Sequence, residues 1–172
     1  MSSIMTNDTL ETWRADADTL EQLAGYRTAA FTLTGQGEPV RLRGAAVSPA
    51  MFPLLRATPM LGRVFEPEEE RPGANRVAVL SHATWQQRFQ GDRDVIGRSL
   101  MLDDIPYTVV GVMPPEFYFP DRDTELWTPL SITIPNQRPG NVVIMAFQGL
   151  ARLQEGVALE QAVAEGQTVV QR

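Results

Sequence analysis

Cysteine is absent from the 172-residue sequence, and histidine occurs once, as His82. Without cysteine the chain has no disulfide, no thiolate metal site and no cysteine nucleophile. A single imidazole also excludes metal sites that need two histidine ligands, and it makes His82 the base of any Ser–His pair. Composition therefore excludes several common catalytic and metal-binding classes, although the missing cysteine assigns no cellular compartment.

Clusters of basic residues and long apolar runs are missing as well. The formal charge is −6 and the sequence pI is about 4.8, and no run of Lys and Arg offers a surface for nucleic acid or anionic lipid. The apolar stretch at 142–147 is far shorter than the roughly 20 residues that span a bilayer, and residues 1–10 lack a signal-peptide pattern. We therefore expect a cytosolic protein or a segment of a longer one, with no nucleic-acid partner.

The spacing of the apolar residues predicts an α+β domain in which hairpins are mixed with isolated helices. Strands are predicted at 29–34, 40–47, 76–80, 99–102, 107–113, 125–130 and 142–152. Helices are predicted at 8–24, over one or two turns from Ser48, over one turn within the acidic connection 58–75, from Ser81 to Gly91, and at 159–170. Helix 8–24 is either continuous or divided between Asp16 and Asp18, since Asp favours helix caps. Pro129 predicts an edge position for strand 125–130, because proline cannot donate a ladder hydrogen bond.

Ser81 and His82 are adjacent at the predicted start of a helix, and together they raise the alternative of a hydrolase. The favoured interpretation is that Ser81 caps the helix and His82 lies in its first turn, near unpaired backbone amides. Gly35-Gln36-Gly37 lacks the third glycine and the following helix of a dinucleotide fingerprint, so it predicts a hairpin turn. We predict no catalytic residue and no cofactor site.

Two acidic clusters carry oxygen ligands of the kind that hard cations use. The first, at 66–70, has glutamates on both sides of Pro67, which is typical of a solvated helix first turn. In the second, Asp121, Asp123 and Glu125 have the alternate spacing of a calcium loop, but neither a glycine turn nor a distal bidentate Glu follows. The solvated interpretation is favoured for both clusters, so no metal site is predicted.

Tryptophans and methionines are spread along the chain and raise the alternative of an apolar ligand pocket. The residues concerned are Trp13, Trp85, Trp127, Met51, Met101 and Met113. Large apolar side chains of this kind more often fill a core, and methionine in particular packs into irregular core spaces. Core packing is therefore the favoured interpretation.

Short motifs occur in a fixed order along nearly the whole chain. They are VSPAMFPLL at 47–55, PMLGRVF at 59–65, VAVLSHATW at 77–85, VIGRSL at 95–100, YTVVGVMPP at 107–115, FP at 119–120, LWTPL at 126–130 and ARL at 151–153. Each is a packing or turn element, but the ordered set resembles the MacB-like periplasmic core domain of ABC transporter permeases. The resemblance covers roughly 10–170 and is closest to the duplicated permeases of soil acidobacteria. Two departures are Pro53, where the short helix normally continues, and Asp104, in a turn that usually holds Gly or Asn.

The resemblance implies an α+β fold of two lobes within one domain at 1–172. A porter-like lobe would comprise about 1–72 and 141–172, and an inserted small mixed β/α lobe would comprise about 73–140. The domain would be held between the first and second membrane helices of an FtsX-like permease. It would thus be a soluble domain on the periplasmic side of an inner-membrane protein, on the far side from the ATPase.

The implied function is non-enzymatic and has no cofactor. The domain would couple motion of the membrane helices to the handling of a partner or substrate in export or efflux. Its expected partners are the permease membrane helices, a separate ATPase subunit, and a periplasmic adaptor or lipoprotein. The alternative is a ligand-binding module that captures a peptide, an antibiotic or a lipid between the lobes.

Overall fold

The computed structural model describes residues 3–35, 37–131 and 146–170. Its strands are β1 (Ser3–Thr6), β2 (Leu20–Thr34), β3 (Val40–Val47), β4 (Leu61–Gly62), β5 (Val77–Leu80), β6 (Ser99–Leu102), β7 (Ile105–Val112), β8 (Leu126–Pro129) and β9 (Ala146–Leu153). Its helices are α1 (Asn7–Asp16), α2 (Met51–Leu54), α3 (His82–Phe89) and α4 (Leu159–Val170), with 3-10 turns at Pro67–Glu70 and Arg93–Val95. The predicted α+β class is confirmed.

In the described part of the chain, the strands form one connected sheet of nine strands. Six of them pair in a closed ring, in the order β2, β3, β8, β5, β7, β6 and back to β2. The β3–β8 and β5–β7 pairs are parallel, and the remaining pairs of the ring are antiparallel. Outside the ring, β9 pairs with the first part of β2, and β1 pairs with β9.

Both faces of β5 and β8, and of β7 from Val109 to Val112, are largely buried. Neighbouring residues on one strand enter different apolar clusters, as Val79 and Leu80 do on β5 and Leu126 and Trp127 do on β8. This follows from the alternation of side chains along a strand, combined with cover on both faces. The apolar sequences of β5 and of the second half of β7 had indicated that these strands are covered on both faces.

The prediction of helical structure throughout 8–24 is wrong in its second half. Helix α1 ends at Asp16, and β2 begins at Leu20. Leu20 is paired with Leu153 and Leu23 with Ala151, across the antiparallel β2–β9 ladder. Helical spacing in a short apolar run is a weak signal, and pairing with a strand more than a hundred residues away overrides it.

The predicted edge position of the Pro129 strand is also wrong. Strand β8 lies between β3, which pairs with it over Leu126–Pro129, and β5, which pairs only with Leu126 and Trp127. Pairing with β5 therefore ends at Trp127, two residues before Pro129. Pro129 sits at the last position of an interior strand, where its missing N–H removes no hydrogen bond from that ladder.

Several turn and cap predictions are confirmed, with small shifts. The β6–β7 hairpin turns at Asp103 and Asp104, whose φ angles of 49° and 62° are the pair that a two-residue type I′ turn requires. Helix α2 is a single turn, within the one or two turns that Pro53 predicted, but it begins at Met51. Ser48 Oγ instead accepts a hydrogen bond from the N–H of Gly25 at 3.0 Å. The predicted strand at 142–152 is present from Ala146 onward, while 142–145 lies outside the described residues.

The boundary predicted between the two lobes is crossed by strand pairing. Strand β3 pairs with β8, and the end of β2 pairs with β6. The division at about 73 and 140 stays a prediction, and the two parts share one sheet. Among the described residues, no helix is long and apolar enough to cross a bilayer.

Candidate functional site

A cleft of about 670 Å³ lies between the first turn of α3 and the loop at 114–125. We call it the α3 cleft. Arg43 on β3 borders it, Pro114 and Phe117 contribute apolar surface, and His82 and Tyr118 line it as well. Its volume is within the range that small ligands or short peptide segments occupy.

Ser81 and His82 line the α3 cleft but are not arranged for hydrolysis. Ser81 Oγ accepts a hydrogen bond from the N–H of Thr84 at 3.1 Å and donates one to Thr84 Oγ1 at 2.9 Å. The His82 ring packs edge-on against Trp85, with 5.7 Å between ring centroids. A nucleophilic serine needs its hydroxyl proton directed to the base, whereas here it is directed to Thr84. Ser81 acts as the predicted helix cap.

The carboxylates at 121–125 are held by neighbours in the fold. Asp121 Oδ1 accepts hydrogen bonds from the N–H of Asp123 at 2.9 Å and from Thr124 Oγ1 at 3.1 Å. Asp123 pairs with Arg43 at 2.7 Å, and Glu125 accepts a hydrogen bond from the Arg43 N–H at 2.8 Å. The oxygens do not converge as a calcium loop requires, and no group of three potential ligands meets anywhere in the described ranges.

The acidic cluster at 66–70 is only partly solvated, because Glu69 and Glu70 each contact an arginine. Glu69 is buried and accepts two hydrogen bonds from the Arg63 guanidinium, at 2.8 and 3.0 Å, and one from the Glu66 N–H at 2.9 Å. Burial raises the pKa of Glu69, but these hydrogen bonds and the Arg63 charge lower that pKa by more, so it lies below its ordinary value. Glu70 makes a two-point contact with Arg14 of α1. The solvated interpretation is therefore wrong for Glu69.

The tryptophans and methionines lie mainly in apolar clusters. Trp127, Met51 and Met113 belong to one buried cluster and Trp85 to another, while Trp13 packs beside a third. The core interpretation is thus confirmed for Trp85, Trp127, Met51 and Met113.

Gly35 and Gly37 have φ angles of 81° and 100°, and β3 follows them, so this segment is the predicted hairpin turn.

Sequence reasoning did not identify Tyr118 and Arg122, two exposed residues that line the α3 cleft. Tyr118 is 53% exposed, and the guanidinium carbon of Arg122 lies 5.1 Å from the centre of its ring. The only local signal was the Phe-Tyr-Phe sequence between two prolines. Alternation in such a segment places the middle side chain opposite its neighbours, but which side faces solvent depends on the core below.

Comparisons with known proteins relate both the sequence and the fold to ABC transporter domains. Residues 2–169 match the MacB-like periplasmic core domain family. Over 106 residues, or 58% of this chain, the sequence is 27% identical to the macrolide export ATP-binding/permease protein MacB of Bdellovibrio bacteriovorus. The match covers 16% of that protein, so this chain corresponds to a small part of that relative.

Two solved structures share the fold. The periplasmic region of MacB from Actinobacillus actinomycetemcomitans superimposes with a TM-score of 0.75 and 13% identity, over 97% of this chain and 73% of that one. The extracellular domain of the ABC-type transporter YknZ from Gram-positive bacteria gives a TM-score of 0.70 and 13% identity, over 98% of this chain and 81% of that one. Identities this low support the fold alone.

Proposed function

This chain belongs to the MacB-like periplasmic core domain family, and we propose that it is the extracytoplasmic domain of an FtsX-like ABC-type permease. In this proposal the domain relays nucleotide-driven motion of the membrane helices to a periplasmic adaptor, a lipoprotein or a substrate. The ATPase would be a separate subunit. The domain itself needs no nucleophile and no cofactor, because its contribution is mechanical.

The observation that carries the proposal is the firm connection between the first and last helices. Glu165 of α4 accepts hydrogen bonds from the N–H groups of Asp18 and Thr19, at 2.9 and 3.1 Å, and from the Thr19 hydroxyl. Gly166 lies so close to Trp13 of α1 that a methyl group there would overlap the indole. A domain inserted between two membrane helices receives force at such a joint, and two helices tied together transmit it as one body.

A continuous series of hydrogen-bonded elements leads from this joint toward the α3 cleft. The N–H of Gln154, just after β9, donates to Thr19 O at 3.0 Å, and β9 pairs with β2 from Leu20 to Tyr26. Strand β2 pairs with β3, and β3 pairs with β8, which directly follows the loop at 114–125. Packed strands of this kind shift together more readily than they deform separately.

Hydrogen–deuterium exchange on the parent permease with its ATPase, in lipid nanodiscs, tests the relay. We expect vanadate trapping of the nucleotide state to change exchange in α1, β2 and α4 together. In Glu165→Gln the change in α4 should no longer extend to β2, because the carboxylate that accepts both N–H groups is gone. Glu160→Gln, an exposed change on the same helix, should behave like the wild type. Identical exchange in both nucleotide states would contradict the proposal.

Two further measurements test the setting of the domain. The coding region on each side of this segment should encode an apolar run of roughly 20 residues, and its absence on either side would refute an insertion between membrane helices.

The proposed lobe division at about 73 and 140 predicts that β5 to β8 exchange as a cooperative unit distinct from β1, β2 and β9. Uniform protection across all strands would argue for a single unit.

A second candidate function is a ligand-binding module, which the α3 cleft favours. The module would capture a peptide, an antibiotic or a lipid, and saturable thermal shifts would reveal which class binds. The cleft is lined by both polar and apolar groups, a mixture that suits a peptide better than a lipid chain. Saturable stabilisation by a lipid and by no peptide would contradict this preference.

A further inference from the structure

We infer that the α3 cleft is a docking site for an extended peptide segment of a partner protein, in which an acidic side chain neighbours an apolar one. Arg122 would pair with the carboxylate, and Tyr118 with Phe117 would contact the apolar side chain. The inference deepens the proposed function, on which its biological role rests, by naming the chemistry of the partner contact.

The loop presents Tyr118 in a rigid way. Phe117 packs against Trp127 with 5.3 Å between ring centroids, and Phe119 packs against Tyr26 at 4.7 Å. The Trp127 indole N–H also donates to the carbonyl oxygen of Phe119 at 2.8 Å. Both neighbours of Tyr118 are thus packed against other aromatic rings of the domain, while Tyr118 itself is 53% exposed. An exposed aromatic fixed in this way loses little conformational entropy on binding.

Among the charged side chains that line the α3 cleft, Arg43, Asp123 and Glu125 each have an ionic neighbour, and Arg122 has none in the described ranges. Arg43 pairs with Asp123 at 2.7 Å, and Glu125 lies 3.7 Å from Arg88. Arg122 lies over the Tyr118 ring and makes no ion pair with any residue of the described ranges. A guanidinium on an aromatic face retains in-plane N–H groups that match a carboxylate at two points. The charge complement of the cleft is therefore a carboxylate.

The surroundings favour a peptide over other carboxylates or phosphates. Among the described residues, the α3 cleft has one unmatched cation, Arg122, rather than the cluster of basic side chains that nucleic acid and anionic membrane surfaces require. Its volume of about 670 Å³ accommodates several side chains, and aromatic residues and arginine are enriched at protein–protein interfaces. An acidic residue next to a leucine-like residue satisfies both parts of the cleft.

The test uses the full chain and three acetylated, amidated hexapeptides, with Leu alternating with Glu, Gln or Lys. Titration at low salt is followed by amide chemical shifts in two-dimensional NMR. We expect shifts confined to Arg43, 81–83 and the non-proline residues of 114–125, and affinity for the Glu peptide about five-fold above that for the Gln peptide, the size of one exposed ion pair. Arg122→Gln should abolish that preference, and Arg71→Gln, the same charge change at an exposed site elsewhere, should retain it.

Each contrary outcome overturns the inference. These outcomes are no binding up to millimolar peptide, equal affinity for the Glu and Gln peptides, or a preference that persists in Arg122→Gln. Binding of wild-type protein to phosphatidylglycerol vesicles that Arg122→Gln removes would assign the site to a membrane instead. Tyr118→Ala should weaken all three peptides alike, which separates the aromatic contact from the charge. Because binding is measured on this chain alone, it can fail while the relay of motion stands, and the reverse also holds.

Discussion

The two acidic segments, 66–70 and 121–125, are similar in composition but differ in how far the fold buries their paired carboxylates. Both contain a carboxylate paired with arginine, at 2.8 Å for Glu69 and Arg63 and at 2.7 Å for Asp123 and Arg43. The Glu69 side chain is 10% exposed, whereas that of Asp123 is 70% exposed. The distance is nearly the same, so burial decides which pair supports the fold and which borders a surface.

Glu69 is buried because the backbone before the first segment lies directly on the sheet. The N–H of Arg63 donates to Val110 O at 2.9 Å, and β4 pairs with β7 at Gly62 and Gly111. A side chain at Gly111 would overlap the carbonyl oxygen of Arg63. Among the described glycines, none approaches the backbone of 121–125 as closely, and the second segment remains at the rim of the α3 cleft. A close backbone approach, rather than the acidic residues, produces the contrast.

The largest effect is expected for Gly111→Ala. The added methyl group would displace Arg63 from β7 and with it the contact that holds Glu69, at a cost of about 3 kcal/mol or more. The free energy of unfolding from urea titration measures this cost. Thr108→Ala, an exposed change on the same strand, should cost less than about 1 kcal/mol. Equal effects of the two changes would show that the close approach at Gly111 is unimportant.

Replacing the two paired carboxylates compares the segments directly. Glu69→Gln should lower the free energy of unfolding by about 2 kcal/mol, mainly through hydrogen bonds to a buried charged group. The ionic part is smaller, because the Arg63 side chain is 42% exposed. Asp123→Asn should change the free energy by less than about 0.5 kcal/mol. If both variants lost the same stability, burial would not be the distinguishing factor.

The pH dependence of stability should differ in the same way. The pKa of folded Glu69 lies below the ordinary value, because the Arg63 and Glu66 hydrogen bonds and the Arg63 charge together outweigh the opposing effect of burial. Its contribution is therefore fully present above the unfolded-state pKa of about 4.3 and is lost as pH falls through the folded pKa. The stability difference between wild type and Glu69→Gln should be constant near neutral pH and shrink in acid. A difference that grows on acidification would have the wrong sign.

A smaller effect than at Glu69 is expected at Glu165, a partly buried carboxylate that has fixed partners. The hydrogen bond from the Thr19 hydroxyl lowers the pKa of Glu165, and those from the N–H groups of Asp18 and Thr19 lower it further. Glu165→Gln should reduce the melting temperature by less than Glu69→Gln does, and Glu160→Gln should leave it unchanged. Calorimetry at neutral pH measures both. A larger loss at Glu165 than at Glu69 would reverse the order that burial predicts.

Local signals in the sequence located many elements. Ser81 capped α3, Asp103 and Asp104 formed the β6–β7 turn, and the closing helix α4 spans Leu159–Val170 as predicted. Caps, turns and short-range periodicity depend on residues within one or two turns of each other. These predictions succeeded because the causes lie close together in the chain.

Most of the failures involve partners distant in sequence, and Glu69 is the exception, since its partner Arg63 lies six residues away. Leu20 and Leu23 became part of β2 because β9 pairs with them, and Pro129 entered an interior strand because β5 stops pairing before it. In the α3 cleft, Tyr118 faces solvent because the rings beside it pack on Trp127 and Tyr26. Propensity and periodicity carry no information on such contacts.

By itself, the sequence determined the α+β class, most hairpins and caps, the exclusion of thiol and two-histidine chemistry, and the ordered motifs of the family. Only the tertiary structure decided that six strands close into a ring, that Glu69 is buried while Asp123 is exposed, and that Arg122 has no ionic partner among the described residues. Local conformation follows from neighbouring residues, whereas burial and charge matching depend on which distant segments the folded chain brings into contact.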